Sequence, residues 1–175
     1  MALQKFRRTN FTKSVMSIDL RKQFFNELLK IAAKDKKVIC LTADLGYSFK
    51  EQFEKELPEQ IINVGIQEQN MISMAAGMAI AGLKPYCYSG LIFLLMRAYE
   101  QIRDDICYNN LDVKLCGTGA SGFLGFSHNL QGTENEEDLL KNLPNIQQFY
   151  PNNAQELKKI MIKTNKNKKP CFIQL

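Results

Sequence analysis

Short apolar runs alternate with stretches of helical period along almost the whole chain, and this alternation limits the fold more than any other feature. Strand candidates fall at 38–43 (VICLTA, a short apolar run), 61–64, 85–89, 113–117, 147–150 and 170–175. Each is the length of a buried strand. Between them the period changes. Leu20, Phe24, Leu28 and Ile31 recur at helical spacing to about Lys34, with Ser17 placed as an N-cap. Ser48 with Glu51 three residues on resembles a capping box for a short helix that Pro58 ends. Helical patterns follow over 67–81 and 93–108, and Asn153 with Glu156 forms a second capping box for a helix to about Lys163. Parallel strands need crossover helices, so the order predicts an α/β fold: a three-layer αβα arrangement around a mostly parallel central sheet. One domain is expected over 17–175, preceded by a basic tail over 1–16.

Charge bears on partners. The net charge is +5, and four of the excess positive charges lie in the first sixteen residues, as Lys5, Arg7, Arg8 and Lys13. The remainder is near neutral and shows no basic face of the kind nucleic acid requires. Lys158, Lys159, Lys163, Lys166, Lys168 and Lys169 read as a solvated helix face and the loop after it. The tail has charge but no apolar core, so it is not a secretory signal; it reads as a mobile or partner-docking segment rather than a transit peptide. From Gln69 to Met96 only Lys84 is charged, but Gly82, Lys84 and Pro85 divide this stretch into pieces too short to span a membrane. It is expected to be a buried helix followed by a buried strand. The five cysteines include no CxxC pair, which predicts reduced, buried thiols in a cytoplasmic protein. With His128 the only histidine, no metal-binding set is visible.

In parallel α/β folds ligands bind at the carboxyl ends of the strands. Those positions are 44–46, 65–68, 89–90 and the glycine-rich segment 117–135, which reads as a long loop and holds five of the ten glycines. The sequence contains no GxxxxGK or GxSxG motif, and 117–122 (GTGASG), which has GxGxxG spacing, follows a strand but has no helix directly after it. One carboxylate stands out. Glu68 opens a helix that carries no other charge until Lys84. Taken alone, it either complements the helix dipole or is a site acid with perturbed ionisation at a buried helix mouth.

A wider pattern bears on that choice. Residues 62–71 (INVGIQEQNM), then 75–79 (AAGMA) and 82–85 (GLKP), closely resemble the pyrimidine-binding domain of the transketolase family. The segments 18–21 (IDLR), 41–45 (LTADL), 97–103 (RAYEQIR), 143–146 (LPNI), 151–157 (PNNAQEL) and 170–175 (PCFIQL) extend the resemblance, which covers about 17–175. It implies a thiamine-diphosphate-dependent transferase. In that family a carboxylate hydrogen-bonded to the pyrimidine N1′ favours the imino tautomer, whose 4′ nitrogen removes the C2 proton. The resemblance assigns this role to Glu68. It also implies that Phe93 stacks on the aminopyrimidine, that Ile66 lines its pocket, that Asp44 lies at the subunit interface beside the cofactor, and that Arg97 belongs with the cofactor-binding residues. On the residues alone Phe93 reads equally as core and Asp44 as a loop or cap residue. The segment 125–128 (GFSH) resembles a motif whose histidine faces substrate and cofactor, making His128 a candidate proton shuttle. Here the chain departs from the pattern. Residues 129–136 (NLQGTENE) look inserted, and a further family histidine is replaced near Gly119.

The family's diphosphate-binding domain carries a GDG motif that has no counterpart here. The resemblance therefore implies half a cofactor site, with Mg²⁺ and the diphosphate grip supplied by a separate subunit in a heterotetramer. The expected reaction is transfer of a ketol or acyl unit between sugar-like, phosphorylated carbonyl substrates. The alternatives are a 1-deoxyxylulose-5-phosphate-synthase-like reaction and a non-catalytic structural or regulatory domain.

Overall fold

The computed structural model describes residues 19–119 and 136–175. The basic tail, Ser17, His128 and the inserted segment to residue 135 lie outside the described residues. Six strands are present among them: β1 (Val38–Thr42), β2 (Ile61–Asn63), β3 (Lys84–Gly90), β4 (Lys114–Thr118), β5 (Gln147–Phe149) and β6 (Cys171–Gln174). They form one sheet in the order β2-β1-β3-β4-β6-β5. Every pairing is parallel. All six expected segments became strands, and helices cover both faces of the central, buried β1, β3, β4 and β6, while the edge strands β2 and β5 are only partly buried.

Side chains alternate across the central strands. Ile39 and Leu41 of β1, Cys87 of β3, Leu115 of β4 and Phe172 of β6 belong to one core. Helix α3 (Glu68–Ile80) covers that side with a helical stretch over 93–108. Val38, Cys40, Tyr86, Tyr88, Cys116, Cys171 and Ile173 belong to the other core, under α1 (Leu20–Ala32), α6 (Ala154–Lys166) and Phe53 of α2 (Tyr47–Glu56). There Phe24 stacks on Tyr88 at 5.8 Å between ring centroids, and Phe25 meets Tyr88 edge-on at 4.9 Å. Such pairs contribute about 0.5–1.5 kcal/mol each beyond the area they bury.

Four local expectations change. The cap of α1 is Asp19, whose carboxylate accepts from the Arg21 amide at 3.0 Å. Helix α2 begins at Tyr47, before Ser48, and has Gly46 as its cap with no side-chain hydrogen bond. Gly46 sits at φ 84°, and a Cβ there would come within 3.1–3.2 Å of Tyr88 and Phe25. The left-handed backbone and that close approach both favour glycine, and the cap falls two residues before the Ser48–Glu51 pattern predicts. The helix over 93–108 is not uniform. Widened π turns at Phe93–Arg97 and Ile102–Tyr108 flank one α-helical turn, Tyr99–Gln101 (α4). Finally, α3 is buried on one face only. Met71, Ile72, Ala75 and Ala76 point inward, while Gln69, Asn70, Ser73, Gly77 and Ile80 are exposed. In a three-layer fold the outer side of each helix faces outward whatever its polarity.

The remaining helices are α5 (Glu136–Leu140) and α6. The Asn153 cap is as expected: its side chain accepts from the Glu156 amide at 2.9 Å, and Glu156 accepts back from the Asn153 side-chain amide at 3.0 Å. Helix α6 runs to Lys166, and all six lysines of the C-terminal cluster are exposed. The five cysteines are free and buried.

The chain leaves β1 toward β2 through α2 on one side of the sheet and returns to β3 through α3 on the other. The order therefore reverses between β1 and β3. At such a switch point the connections diverge and leave a crevice at the carboxyl ends of the strands.

Candidate functional site

Three side chains from separate elements meet at that end of the sheet. Glu68 is the first residue of α3 and is 1% exposed. Ser89, near the end of β3, is fully buried and donates its hydroxyl hydrogen to Glu68 Oε1 at 2.8 Å. Arg97 closes the first π turn and donates through Nη1 to Glu68 Oε2 at 2.5 Å. The two partners differ in access: the Arg97 side chain is 40% exposed, while the carboxylate beneath it is at 1%. Its guanidinium also lies 4.7 Å from the centroid of the Phe93 ring.

Local sequence explains the meeting. Gly65, Ile66 and Gln67 turn the chain from β2 into α3, and the Gln67 side-chain amide donates to the Val64 carbonyl, which steadies the turn. Gly90 ends β3, and a Cβ there would come within 3.0 Å of the Phe93 ring and 3.7 Å of Leu45. A glycine at 90 thus lets Phe93 lie close against the strand end. A buried carboxylate is costly unless it is paired and hydrogen-bonded. Here each oxygen has its own donor, one neutral and one cationic, and both sit at the positive end of a helix.

Asp44 belongs to an adjoining cluster. Its backbone is left-handed, at φ 53°. The Asp44 and Gly65 amides both donate to Asn63 Oδ1 at 3.0 Å, and Asn63 Nδ2 donates to Asp44 Oδ1 at 3.1 Å. The Tyr47 hydroxyl donates to the same carboxylate oxygen. These bonds, Tyr47 first, lower the Asp44 pKa and raise that of Tyr47. Asp44 therefore ties the loop after β1 to the loop after β2 and does not bond to Glu68. Ile66 is 72% exposed on the second of those loops; Tyr47, at the start of α2, is 57% exposed, and Met96, in the first π turn, is 46% exposed.

The structure thus brings Glu68, Arg97 and Phe93 together, places Asp44 and Ile66 on the rim, and leaves His128 outside the described residues. Ser89, Asn63 and Tyr47 carried no role in the sequence reading. Ser89 did leave a trace there, as a hydroxyl ending an apolar strand at a carboxyl edge.

Two other features lie elsewhere. A groove of about 520 Å³ runs between α1 and α6, lined by Glu27, Ile31, Lys34, Lys158, Ile162 and Asn165 among others. It contains none of the candidate residues. Among the described residues no group of three or more His, Cys, Asp or Glu side chains could hold a metal ion. No helix among them is long and apolar enough to cross a membrane.

A flat heterocycle with a protonated ring nitrogen needs one strong acceptor and an apolar or aromatic wall. The Glu68 carboxylate and the Phe93 ring fit that requirement.

Comparison with known proteins identifies the family. The model of the transketolase pyrimidine-binding domain matches residues 16–175. The 1-deoxy-D-xylulose-5-phosphate synthases of Bacillus cereus (strain B4264) and Bacillus anthracis (strain A0248) are each 37% identical over 130 residues, 74% of this chain and 20% of theirs. Among solved structures, a split-gene transketolase described as an inactive β4 tetramer superimposes with a TM-score of 0.80 at 34% identity, over 91% of this chain and 52% of that one. A transketolase variant from Pichia stipitis gives 0.74 at 21% identity, over 91% and 25%, a likeness of fold alone. The chain spans about a fifth of the length of these curated synthases and about half of the split-gene transketolase. By its family match, its fold and its relatives, the chain belongs to the transketolase family as a pyrimidine-binding domain.

Proposed function

We propose that this chain is the pyrimidine-binding subunit of a split, thiamine-diphosphate-dependent transferase of the transketolase type. The observation that carries the proposal is the buried Glu68 carboxylate at the switch point, held by Ser89 and Arg97 beside an aromatic ring. Thiamine diphosphate, when bound, supplies the electron sink for breaking and making a carbon–carbon bond next to a carbonyl. Glu68 would accept the N1′ hydrogen of the pyrimidine and so favour the tautomer whose exocyclic nitrogen is basic. Phe93 would give the heterocycle a stacking face. Arg97 would balance charge at the mouth. Ile66 and the Asp44 loop would form the rim against the second subunit, and His128 is assigned to proton transfer on the substrate. The domain is taken as 17–175 with the tail over 1–16.

The diphosphate grip and Mg²⁺ are assigned to a separate subunit, and the assembly to a heterotetramer. The exposed Ile66, Met96 and Tyr47, each on a segment next to a candidate site residue, suit a surface that a second protein covers. Sugar-phosphate-like ketoses are the proposed donors. Five reduced, buried cysteines fit a cytoplasmic location.

The 37% identity to synthases supports a second reading, in which the donor is a pyruvate-derived unit. The test is reconstitution with a diphosphate-binding transketolase subunit, thiamine diphosphate and Mg²⁺, offering a ketose phosphate or pyruvate with an aldehyde phosphate. Turnover of either donor that Glu68→Ala abolishes supports the enzyme reading and chooses the donor. Cofactor binding without turnover, unchanged in Glu68→Ala, would leave the chain a scaffold.

A further inference from the structure

We infer that Ser89 is a positioning residue for Glu68: it anchors Oε1 permanently, so that Oε2, held by Arg97 in the free chain, is the oxygen given over to the pyrimidine. This rests on the proposed role of Glu68 and adds a division of labour between its two oxygens.

Three facts on the two contacts set them apart. Ser89 is fully buried and sits in the β3 ladder, in register with Gly117 of β4, so its backbone is held on that side of the strand. Its only route to a strong acceptor is inward, and the 2.8 Å bond to Oε1 satisfies it. Arg97, by contrast, has a long side chain at 40% exposure, and its guanidinium lies against the Phe93 ring while it pairs with Glu68. Its release exchanges a solvent-reached ion pair for hydration of the guanidinium by water. Release of Ser89 would strand a buried hydroxyl, at the full cost of an unmade hydrogen bond. When a heterocyclic N–H competes for the carboxylate, Arg97 is therefore the partner that yields.

A carboxylate with one oxygen pinned presents the other along a fixed direction. Such preorganisation keeps a hydrogen bond short without reorganisation at the moment of reaction. Ser89 touches neither cofactor nor substrate in this scheme and acts only through Glu68.

The test uses the full chain assembled with its diphosphate-binding partner, thiamine diphosphate and Mg²⁺. It reads the circular-dichroism band of the imino tautomer beside turnover. Ser89→Ala is expected to weaken the band and to lower kcat roughly 10- to 100-fold with KM for the donor little changed, the scale of losing one hydrogen bond to a charged group. Ser89→Thr, which keeps the hydroxyl, is expected to restore both. Ser89→Cys fills the same volume with a poor donor and is expected to behave as Ser89→Ala. If Ser89→Cys instead matches the wild type, packing rather than the hydroxyl matters and the inference fails. Glu68→Ala separates the two levels of the argument. A band that persists in Glu68→Ala overturns the role of Glu68 itself. A band lost there but intact in Ser89→Ala overturns only the inference about Ser89. A second measurement needs no partner. In the free chain labelled with carboxyl-¹³C glutamate, the Glu68 resonance, assigned by its loss in Glu68→Gln, should move in Ser89→Ala and return in Ser89→Thr. A resonance indifferent to both substitutions would also sink the inference.

Discussion

Raising the pH above 9 should unfold this domain steeply, because all five thiols are buried without an acceptor strong enough to welcome their charge. Cys40, Cys87, Cys116 and Cys171 lie on strands at the centre of the sheet, and Cys107 lies under the second π turn; each is at most 1% exposed. Burial pushes Cys107 and Cys171 up to about 12, and Cys40, Cys87 and Cys116 are raised as well. An unfolded thiol ionises near pH 8.5. The folded pKa lies above the unfolded one, so this contribution is intact below about pH 8.5 and is lost as the pH climbs toward the folded values. Every unit of pH in that window costs about 1.4 kcal/mol per thiol. At pH 10 the five together cost about 8–10 kcal/mol. One group opposes them. Lys114 is fully buried and pushed down to about 8, beside Asp112 and the Asn167 carbonyl. A depressed lysine strains the fold below that value and is relieved above it, returning about 2–3 kcal/mol by pH 10. Tyr86 and Tyr88, both raised by burial, begin to add their share only at that point. The net loss of about 6 kcal/mol is comparable to the whole stability of a small domain.

Urea denaturation in reducing buffer between pH 7 and 10, followed by far-ultraviolet circular dichroism and thiolate absorbance, measures the effect. Stability should hold roughly level to pH 8.5 and then fall. Unfolding and the appearance of thiolate should coincide. Replacing Cys107 by Ala should remove about 1.4 kcal/mol per pH unit from the alkaline slope. Stability unchanged to pH 10, or thiolates titrating near 8.5 in a chain that is still folded, would refute the reasoning.

Three further outcomes are expected from equilibrium unfolding. Gly46→Ala should cost about 2–3 kcal/mol, because it combines a left-handed backbone with a Cβ too close to Tyr88 and Phe25. Asn153→Ala should cost about 1 kcal/mol through the lost cap of α6, and Asn153→Asp should recover most of it. Arg97→Met should cost the free chain only about 1–2 kcal/mol at pH 7, since solvent reaches the arginine and screens the pair. The double variant Arg97→Met with Glu68→Gln should be closer to wild type than Arg97→Met alone, which a double-mutant cycle will show.

Much of this molecule is legible in its sequence because burial on both faces demands uninterrupted apolar runs. VICLTA becomes a strand for that reason and is buried throughout β1, whereas β2 and β5 at the sheet edges are only partly buried. Glu68 is legible because it is the one charge on a helix that otherwise has none. What closes on it is not legible. Ser89 and Arg97 are 21 and 29 residues away in the chain, and only the crossover from α3 to β3 and the turn after it brings them in. The Ser48–Glu51 pattern failed where the left-handed backbone and close approach at Gly46 favour a glycine cap two residues earlier. The outer face of α3 misled in the opposite sense: absence of charge reads as burial, yet here it marks a side turned away from the sheet.

The bonds around Asn63 have a practical consequence for anyone grafting loops at this end of the sheet. One amide side chain grips the backbone of both the 44–47 and the 63–67 segments. The two segments therefore behave as a single lip, and a graft that swaps one while keeping the other would leave mismatched halves. Donor loops from relatives should be transplanted as a pair, or with the asparagine retained.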